Sequence, residues 1–297
     1  MQQETTTARG VGAIALAAGL FCLIFYISGV ADASGAALFA WRVLLAVACY
    51  GLALVHPAVR ASLRTAWTYT TRTWWRPLLF LFLSAFIGLQ LWLFTWAPIH
   101  GHALDVSLGF LLLPISLVLG GRFVLHDEVT RAQWLAVGIA AVAVTLKFAL
   151  TPQVSWATFV ICVGYPVYFL LRRRFGMDGP MAFGLEAAAL TPFAVVLVLG
   201  GHGSPASTDV LTLLALVTVG LAGAGAMAAF LAASRLLPIP LFGLLVYLEP
   251  VGLVVVSLLI GERPHGADLL VYGLLAVALS VLAVEGFRRA GAARRGR

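Results

Sequence analysis

Glu249 and Pro250 stand side by side inside an apolar stretch, LLVYLEPVGLVV, at residues 244–255. An ionised glutamate is costly in hydrocarbon. A proline within a helix leaves the carbonyl four residues earlier, here that of Val246, without its donor. Both features are tolerated where protein or water satisfies the freed groups. The pair therefore predicts a polar cavity in which Glu249 accepts an ammonium group or a proton, and the alternative is a satisfied structural acid.

Three more charged side chains lie inside or at the ends of apolar segments. Arg42 could attract a carboxylate, or it could extend along its helix to the interface, as long basic side chains do. Glu186 could exchange a proton, or it could pair with an arginine at the cytoplasmic side. Asp105 is expected at the outer mouth of its segment. Glu186 and Glu249 are therefore the candidate groups for coupling to protons.

Aromatic and amide side chains form a second candidate group, because they could cover an apolar ligand and donate hydrogen bonds to it. Trp92 and Trp96 are four residues apart and so share one face of a helix. Ordinary packing and interfacial belts are the alternatives for such residues. The candidate cavity residues are Arg42, Gln90, Trp92, Trp96, Tyr165, Tyr168, Tyr247 and Glu249, with Pro114 and Pro250 as helix breaks.

The sequence lacks the motifs that metal binding, enzymatic catalysis and ATP hydrolysis require. His100 and His102 have HxH spacing with no third ligand nearby, so no metal site is predicted. Cys22, Cys49 and Cys162 lie in separate apolar segments and are expected to pack as small side chains. The sequence contains no Walker loop, GxSxG or HExxH motif, so no catalytic group, cofactor or ATP hydrolysis is predicted.

The elements that must position these residues are membrane helices. The 297 residues are 62% hydrophobic and 10% charged, whereas soluble domains are about 25% charged. Ten apolar segments reach about 18–25 residues, enough to cross the hydrocarbon layer as helices. We predict an all-α polytopic membrane protein with spans at about 10–29, 34–55, 77–99, 103–125, 131–149, 156–174, 180–200, 209–233, 239–260 and 267–286.

The arginines indicate how these helices are oriented. With a cytoplasmic N-terminus, 16 of the 19 lysines and arginines fall at cytoplasmic ends, which is a strong positive-inside signal. Ten spans place the C-terminus inside as well. The net charge of +7 thus follows topology and gives no reason to expect nucleic acid. Residues 56–76, rich in arginine, tryptophan and tyrosine, are expected to lie at the membrane interface.

Ten helices divide into two groups of five, residues 1–150 and 151–297. An odd-numbered repeat in tandem must be inverted, which is a common transporter plan. The fourth predicted helix carries Pro114 and ends in HDE at 126–128, and the ninth carries Pro250 and ends in GER at 261–263. These matching positions predict a five-plus-five inverted-topology repeat.

Several motifs resemble the drug/metabolite transporter superfamily and, within it, the RarD-like, EamA-type branch. They are WAPIHGHALDVSLGFLLLP (96–114), RAQWLAV (131–137), VYFLLRRRFG (167–176), GLEAAALTP (184–192), AASRL (232–236) and YLEPV with GERP (247–264). The resemblance spans nearly the whole chain. It implies a ten-helix inverted-repeat fold and export of small metabolites. Characterised members of the superfamily include amino-acid exporters, some of them for aromatic amino acids.

The expected function is therefore that of a bacterial inner-membrane exporter of amino acids, aromatic ones included, and related small amphipathic metabolites. It would work by alternating access around a central cavity in the lipid bilayer, without ATP. Efflux of organic cations or drugs is the alternative, since it requires an acid and aromatic rings but no arginine. An intramembrane enzyme or a scaffold is a remote alternative, because the candidate acids lie at different depths.

Overall fold

The chain folds into helices throughout the parts that can be described. The computed structural model describes residues 2–126, 128–150, 155–177, 181–203, 209–237, 241–242, 245–264 and 266–295, with no strand in these ranges. The helices are α1 (Gln2–Val30), α2 (Gly35–Ala53), α3 (Pro57–Thr71), α4 (Arg76–Trp96), α5 (Ala103–Gly120), α6 (Arg131–Leu150), α7 (Trp156–Arg174), α8 (Ala182–Leu199), α9 (Val210–Leu236), α10 (Leu248–Leu259) and α11 (Gly266–Arg295). The prediction of an all-α protein is confirmed.

Eight stretches of these helices are long and apolar enough to cross a membrane, and they coincide with eight of the ten predicted spans. They are Thr6–Val30, Gly35–Ala53, Arg76–His100, Ala103–Leu125, Arg131–Leu150, Ala182–Leu199, Val210–Leu236 and Asp268–Glu285. The predicted sixth span forms α7, whose last turn consists of three arginines that lower its hydropathy. Of the predicted ninth span, the described part includes the 12-residue α10.

One compact unit, the α2 unit, contains residues 23–101 and 167–225. Its centre is a packed trio in which α2 lies along α8 and α4 contacts both. Phe39 of α2 meets the ring of Phe193 in α8, with ring centroids 6.0 Å apart. Gly88 of α4 lies so close to α8 that an added Cβ would come within 2.7 Å of Leu190. Small residues let helix backbones approach in this way.

The other compact unit, the α5 unit, contains residues 1–22, 102–166 and 226–297. Here α11 packs along α6, and α5 packs against α10. Three buried alanines on one face of α6, Ala136, Ala140 and Ala143, face the buried leucines and alanines of α5 and α11. Both units draw helices from both halves of the sequence, so helices distant in the chain build each core.

The helical path is interrupted beside Glu249 and Pro250. Val246 and Tyr247 form a turn, and α10 begins at Leu248, so Pro250 lies in the first helical turn. A proline is tolerated there because the N–H it lacks would have no partner within the helix. The carbonyl of Val246 accepts the N–H of Glu249 at 3.3 Å. A donor within the protein thus satisfies the carbonyl that Pro250 leaves without its helical partner.

Candidate functional site

Arg42 is buried inside the α2 unit. Its side chain is on α2, only 5% of the residue is exposed, and its guanidinium carbon lies 5.3 Å from the centroid of the Phe94 ring on α4. Gly223 on α9 lies directly beside it, since an added Cβ would come within 3.0 Å of the Arg42 Nε atom. A guanidinium over a ring face is attracted by the ring quadrupole. Arg42 is thus held between helices of the α2 unit.

Gln90 lies on the same face of α4 as Phe94, one helical turn earlier. It is fully buried. The helix is fixed at this level by the neighbouring Thr95, whose hydroxyl donates to the carbonyls of Gly35 and Trp92, at 3.2 and 2.9 Å. Of these residues, Phe94 contacts Arg42 and was not among the residues predicted from sequence.

A stack of three flat rings runs from the end of α4 into the 3-10 turn Ala97–His100 that follows it. Trp92 and Trp96 lie with centroids 5.4 Å apart and planes 29° apart, and Trp96 stacks on His100 at 4.3 Å and 14°. The Nδ1–H of His100 donates to the carbonyl of Trp96 at 2.8 Å, which fixes the imidazole in the stack. The i, i+4 spacing predicted the tryptophan pair, and the same spacing, continued, would have found His100.

Glu186 on α8 is paired within a buried network. Its Oε2 atom accepts a hydrogen bond from the Tyr168 hydroxyl at 2.6 Å and lies 3.5 Å from the guanidinium of Arg172. Arg172 also contacts the Tyr168 hydroxyl, and its Nε–H donates to the carbonyl of Met177 at 3.1 Å. This geometry corresponds to the structural alternative for Glu186, the pairing with an arginine near the cytoplasmic end.

Tyr50 on α2 lies beside this network. Its ring meets that of Phe183 with centroids 6.1 Å apart, and an added Cβ at Gly184 of α8 would come within 3.1 Å of it. Within the described part of the chain, that buried hydroxyl has no hydrogen-bond partner. Arg172 and Tyr50 were both missed from sequence, although Arg172 follows the predicted Tyr168 by one helical turn.

Glu249 is half-buried in the α5 unit, in the first turn of α10. Cys22 of α1 lies on the same part of α10, because an added Cβ at Gly252 would come within 2.4 Å of its sulfur. Tyr247 lines an apolar groove of about 410 Å³. The groove is lined by Leu111, Tyr247, Val251, Val254, Val255, Tyr272, Ala276, Leu279, Ser280 and Ala283. Glu249 is therefore near this groove in sequence but does not line it.

Tyr165 and Pro114 both lie in the α5 unit. The ring of Tyr165 lies 5.3 Å from that of Phe110 on α5. Pro114 lies within α5, which continues past it and ends in a π-helical turn at Gly121–Leu125. His126 follows in the left-handed region with φ 61°. Of the HDE motif at this helix end, Asp127 lies outside the described residues.

A polar cluster at the start of α5 was missed from sequence. The two carboxylate oxygens of Glu262 accept the N–H groups of Ala103 and Leu104, each at 2.7 Å. Asp105, predicted to be a residue of the outer mouth, pairs with His102 at 2.8 Å. The Tyr272 hydroxyl donates to the carbonyl of Leu104 at 2.9 Å. Glu262 thus ties the loop after α10 to the N-terminus of α5, where a negative charge is stabilised.

Burial raises the pKa of the Glu262 carboxyl above its ordinary value. The two N–H groups of α5 oppose that shift, and so does His102, whereas the charge of Asp105 adds to it. Across the described residues, no group of His, Cys, Asp and Glu is arranged to hold a metal ion. The predicted site residues therefore fall into two sets, Arg42, Gln90, Trp92, Trp96, Tyr168 and Glu186 in the α2 unit, and Pro114, Tyr165, Tyr247, Glu249 and Pro250 in the α5 unit.

Comparison with known proteins shows several bacterial relatives. The chain is 37% identical over 227 residues to an uncharacterised transporter of Pasteurella multocida (strain Pm70), covering 74% of this chain and 77% of the relative. It is 37% identical over 243 residues to the chloramphenicol-sensitive protein RarD of Pseudomonas aeruginosa, covering 81% of each. It is 31% identical over 280 residues to an uncharacterised transporter of Haemophilus influenzae, covering 94% of each. No family model and no solved structure matches the chain.

The protein is a multi-pass membrane transporter. Its helices can cross a membrane, charged groups are buried among them, and its relatives are named as transporters. Within that class, the chain belongs to the RarD-like branch of the drug/metabolite transporters. The resemblance noted from its motifs is confirmed.

Proposed function

We propose that this transporter exports amino acids, aromatic ones among them, and related small amphipathic metabolites across the bacterial inner membrane by alternating access. The observation that supports this proposal is the burial of Arg42 against Phe94, with Gln90 on the same face of α4. A guanidinium has five N–H donors, so it can bind a substrate carboxylate and keep its contact with Phe94.

Glu249 is the carboxyl that we assign to coupling. Glu186 lies 3.5 Å from Arg172 and accepts the Tyr168 hydroxyl, so its charge is already balanced by a neighbour. Glu249 lies half-buried at a turn in the middle of an apolar span, where an acid can take up a proton or a substrate ammonium. In this proposal Glu186 holds α7 to α8, and Glu249 changes its protonation during transport.

We further propose that residues 1–150 and 151–297 form inverted five-helix repeats with both termini in the cytoplasm. In this proposal the ten crossings are the eight apolar spans, α7 and the segment that contains α10. The distribution of arginine supports this orientation.

The test is counterflow of a radiolabelled aromatic amino acid into proteoliposomes that contain no nucleotide. Wild-type protein should exchange the label, and Arg42→Gln should lower the exchange about tenfold or more, because a charge-assisted hydrogen bond contributes about 1.5–3 kcal/mol. The matched control is Arg131→Gln, which removes an exposed arginine. Glu249→Gln should flatten the dependence of exchange on pH.

Two results would contradict the proposal. Normal exchange by Arg42→Gln would show that the buried guanidinium does not hold the substrate, and a strict requirement for internal ATP would exclude a carrier of this kind. Loss of folding is monitored separately through the thermal midpoint of each purified variant, so a failed fold is not mistaken for lost binding.

Efflux of organic cations or drugs is the second candidate. The stack of Trp92, Trp96 and His100 favours it, because aromatic faces attract cations, and one relative is named as chloramphenicol-sensitive. If this candidate is right, the same liposomes should exchange a radiolabelled quaternary ammonium compound that carries no carboxylate. Its transport should be insensitive to Arg42→Gln and should fall when Trp92 is replaced by leucine.

A further inference from the structure

The outward face of α3 carries arginine and tryptophan together. Arg60 and Arg64 are exposed and lie one helical turn apart. Trp67 follows on the same side and is 57% exposed, and Trp74, in the turn after the helix, is 82% exposed. We call these four residues the α3 stripe. We propose that the α3 stripe binds the phosphate headgroups of anionic phospholipids in the cytoplasmic leaflet.

The charge around the stripe is positive without local compensation. The sequence contains no aspartate or glutamate between Asp32 and Asp105, and no described carboxylate lies within ion-pair distance of Arg60 or Arg64. Guanidinium groups match the geometry of phosphate through paired N–H donors. The stripe therefore fits an anion that carries several phosphate oxygens.

The threonine hydroxyl groups on the same surface already donate hydrogen bonds to carbonyls within α3. Thr65 donates to the carbonyl of Ala61 at 3.0 Å, Thr68 to that of Arg64 at 2.9 Å, and Thr71 to that of Trp67 at 3.0 Å. The donors left on this face are those of the arginines and the indole rings. Binding should therefore depend on charge and on interfacial anchoring, and hydroxyl recognition of a particular headgroup is not expected.

The inner face of α3 is firmly attached, which keeps the stripe turned outward. The guanidinium of Arg76 lies 4.0 Å from the centroid of the Tyr69 ring, and it donates to the Tyr69 carbonyl at 3.0 Å. Gly176, at the end of α7, lies against the Tyr69 hydroxyl, where an added Cβ would come within 2.8 Å. Thr70 is buried on this side.

The chain also holds α3 close to the bilayer surface. Only residues 54–56 separate it from α2, and only residues 72–75 separate it from α4. A linker of three or four residues spans at most about 14 Å. Because α2 and α4 are candidate membrane spans, α3 cannot move away from the headgroup region. Exposed tryptophans are characteristic of that region, so a lipid is a better partner than a nucleic acid or an acidic peptide.

The test uses purified full-length protein in an uncharged detergent and phosphatidylglycerol with a fluorescent acyl chain, followed by anisotropy. Wild type should bind this lipid more tightly than the matching phosphatidylcholine, and the difference should shrink as salt is added. Arg60→Gln and Arg64→Gln should each weaken phosphatidylglycerol binding about fivefold. The matched control, Arg122→Gln with Arg131→Gln, removes two exposed arginines elsewhere and should bind as wild type does.

Four outcomes would overturn the proposal. The first is equal binding of the two lipids by wild type, and the second is unchanged phosphatidylglycerol binding by the Arg60→Gln, Arg64→Gln double variant. The third is an equal loss in the control, which would mean that total charge decides. The fourth is displacement of the lipid by millimolar glycerol 3-phosphate, which would mean that the surface binds free phosphate. The substituted arginines are exposed, so thermal midpoints should stay at the wild-type value and confirm that each variant is folded.

Discussion

Glu262 shows how a single carboxylate can hold a helix end. Its two oxygens occupy two of the first N–H groups of α5, which have no partner within the helix. Burial opposes ionisation of the same carboxyl and raises its pKa. The ionised carboxylate of Glu262 is therefore stabilised by its two hydrogen bonds and destabilised by the loss of water around its charge.

The first prediction concerns the pH dependence of stability through Glu262. A carboxyl whose pKa is higher in the folded protein than in the unfolded chain binds its proton more tightly when folded. The contribution of such a carboxyl to stability is complete at pH values below its pKa in the unfolded chain, about 4.3. It is lost as the pH rises through the pKa in the folded protein. The thermal midpoint of wild type relative to Glu262→Gln should therefore decrease from about pH 4 to pH 7.

The control for this measurement is Glu128→Gln, which changes an exposed carboxylate and should leave the wild-type curve unchanged. An increase of the wild-type advantage with pH would contradict the prediction. It would mean that the two N–H bonds, and not burial, determine the ionisation of Glu262.

At the scale of the helix, two prolines with similar sequence surroundings occupy different structural positions. Pro114 lies in the interior of α5, whereas Pro250 lies in the first turn of α10. Only the interior position calls for an N–H that proline cannot supply. The sequence similarity between the segments that contain Pro114 and Pro250 is thus not matched by a similar backbone at the two prolines.

The second prediction follows from that difference. Pro114→Ala supplies a helical donor and should raise the free energy of unfolding by about 1 kcal/mol. Pro250→Ala should change it by less, because its N–H would have no acceptor within α10. The measurement is the thermal midpoint of the two variants under identical detergent conditions. Equal increases would show that the turn at Val246 and Tyr247 is imposed by Pro250 alone.

The helices could be predicted from sequence more fully than the site. The apolar run that ends in three arginines predicted a helix over 156–174, and these are the bounds of α7 in the structure. The network around Glu186 and the cap formed by Glu262 depend on how distant helices pack. Glu262 reaches residues 158 and 159 positions earlier in the chain, a pairing that no local pattern in one sequence specifies.

At the scale of the whole molecule, the orientation in the membrane is the main prediction. Arginines cluster around α3 and at the end of α7, and by the positive-inside rule we expect these regions in the cytoplasm. The turn after α8 at residues 200–203 should then be external. Both regions have exposed positions that accept a label, including Ala61 and His202.

The third prediction tests that orientation. In a background without Cys22, Cys49 and Cys162, Ala61→Cys and His202→Cys should react with an impermeant maleimide from opposite sides of the membrane. His202→Cys should label in intact cells, and Ala61→Cys only after permeabilisation. Labelling of both cysteines from one side would overturn the topology, and labelling of neither would be resolved by repeating the reaction in detergent.

The close approach of Gly223 to Arg42 limits which residues can be substituted at these two positions during evolution. An added Cβ at position 223 would lie 3.0 Å from the Arg42 Nε atom, so a larger residue there requires the Arg42 side chain to shift or to be replaced by a shorter one. The two positions, 181 residues apart in the chain, are therefore expected to vary together among descendants. If Arg42 binds the substrate as proposed, a small residue at position 42 would mark relatives that transport a different substrate.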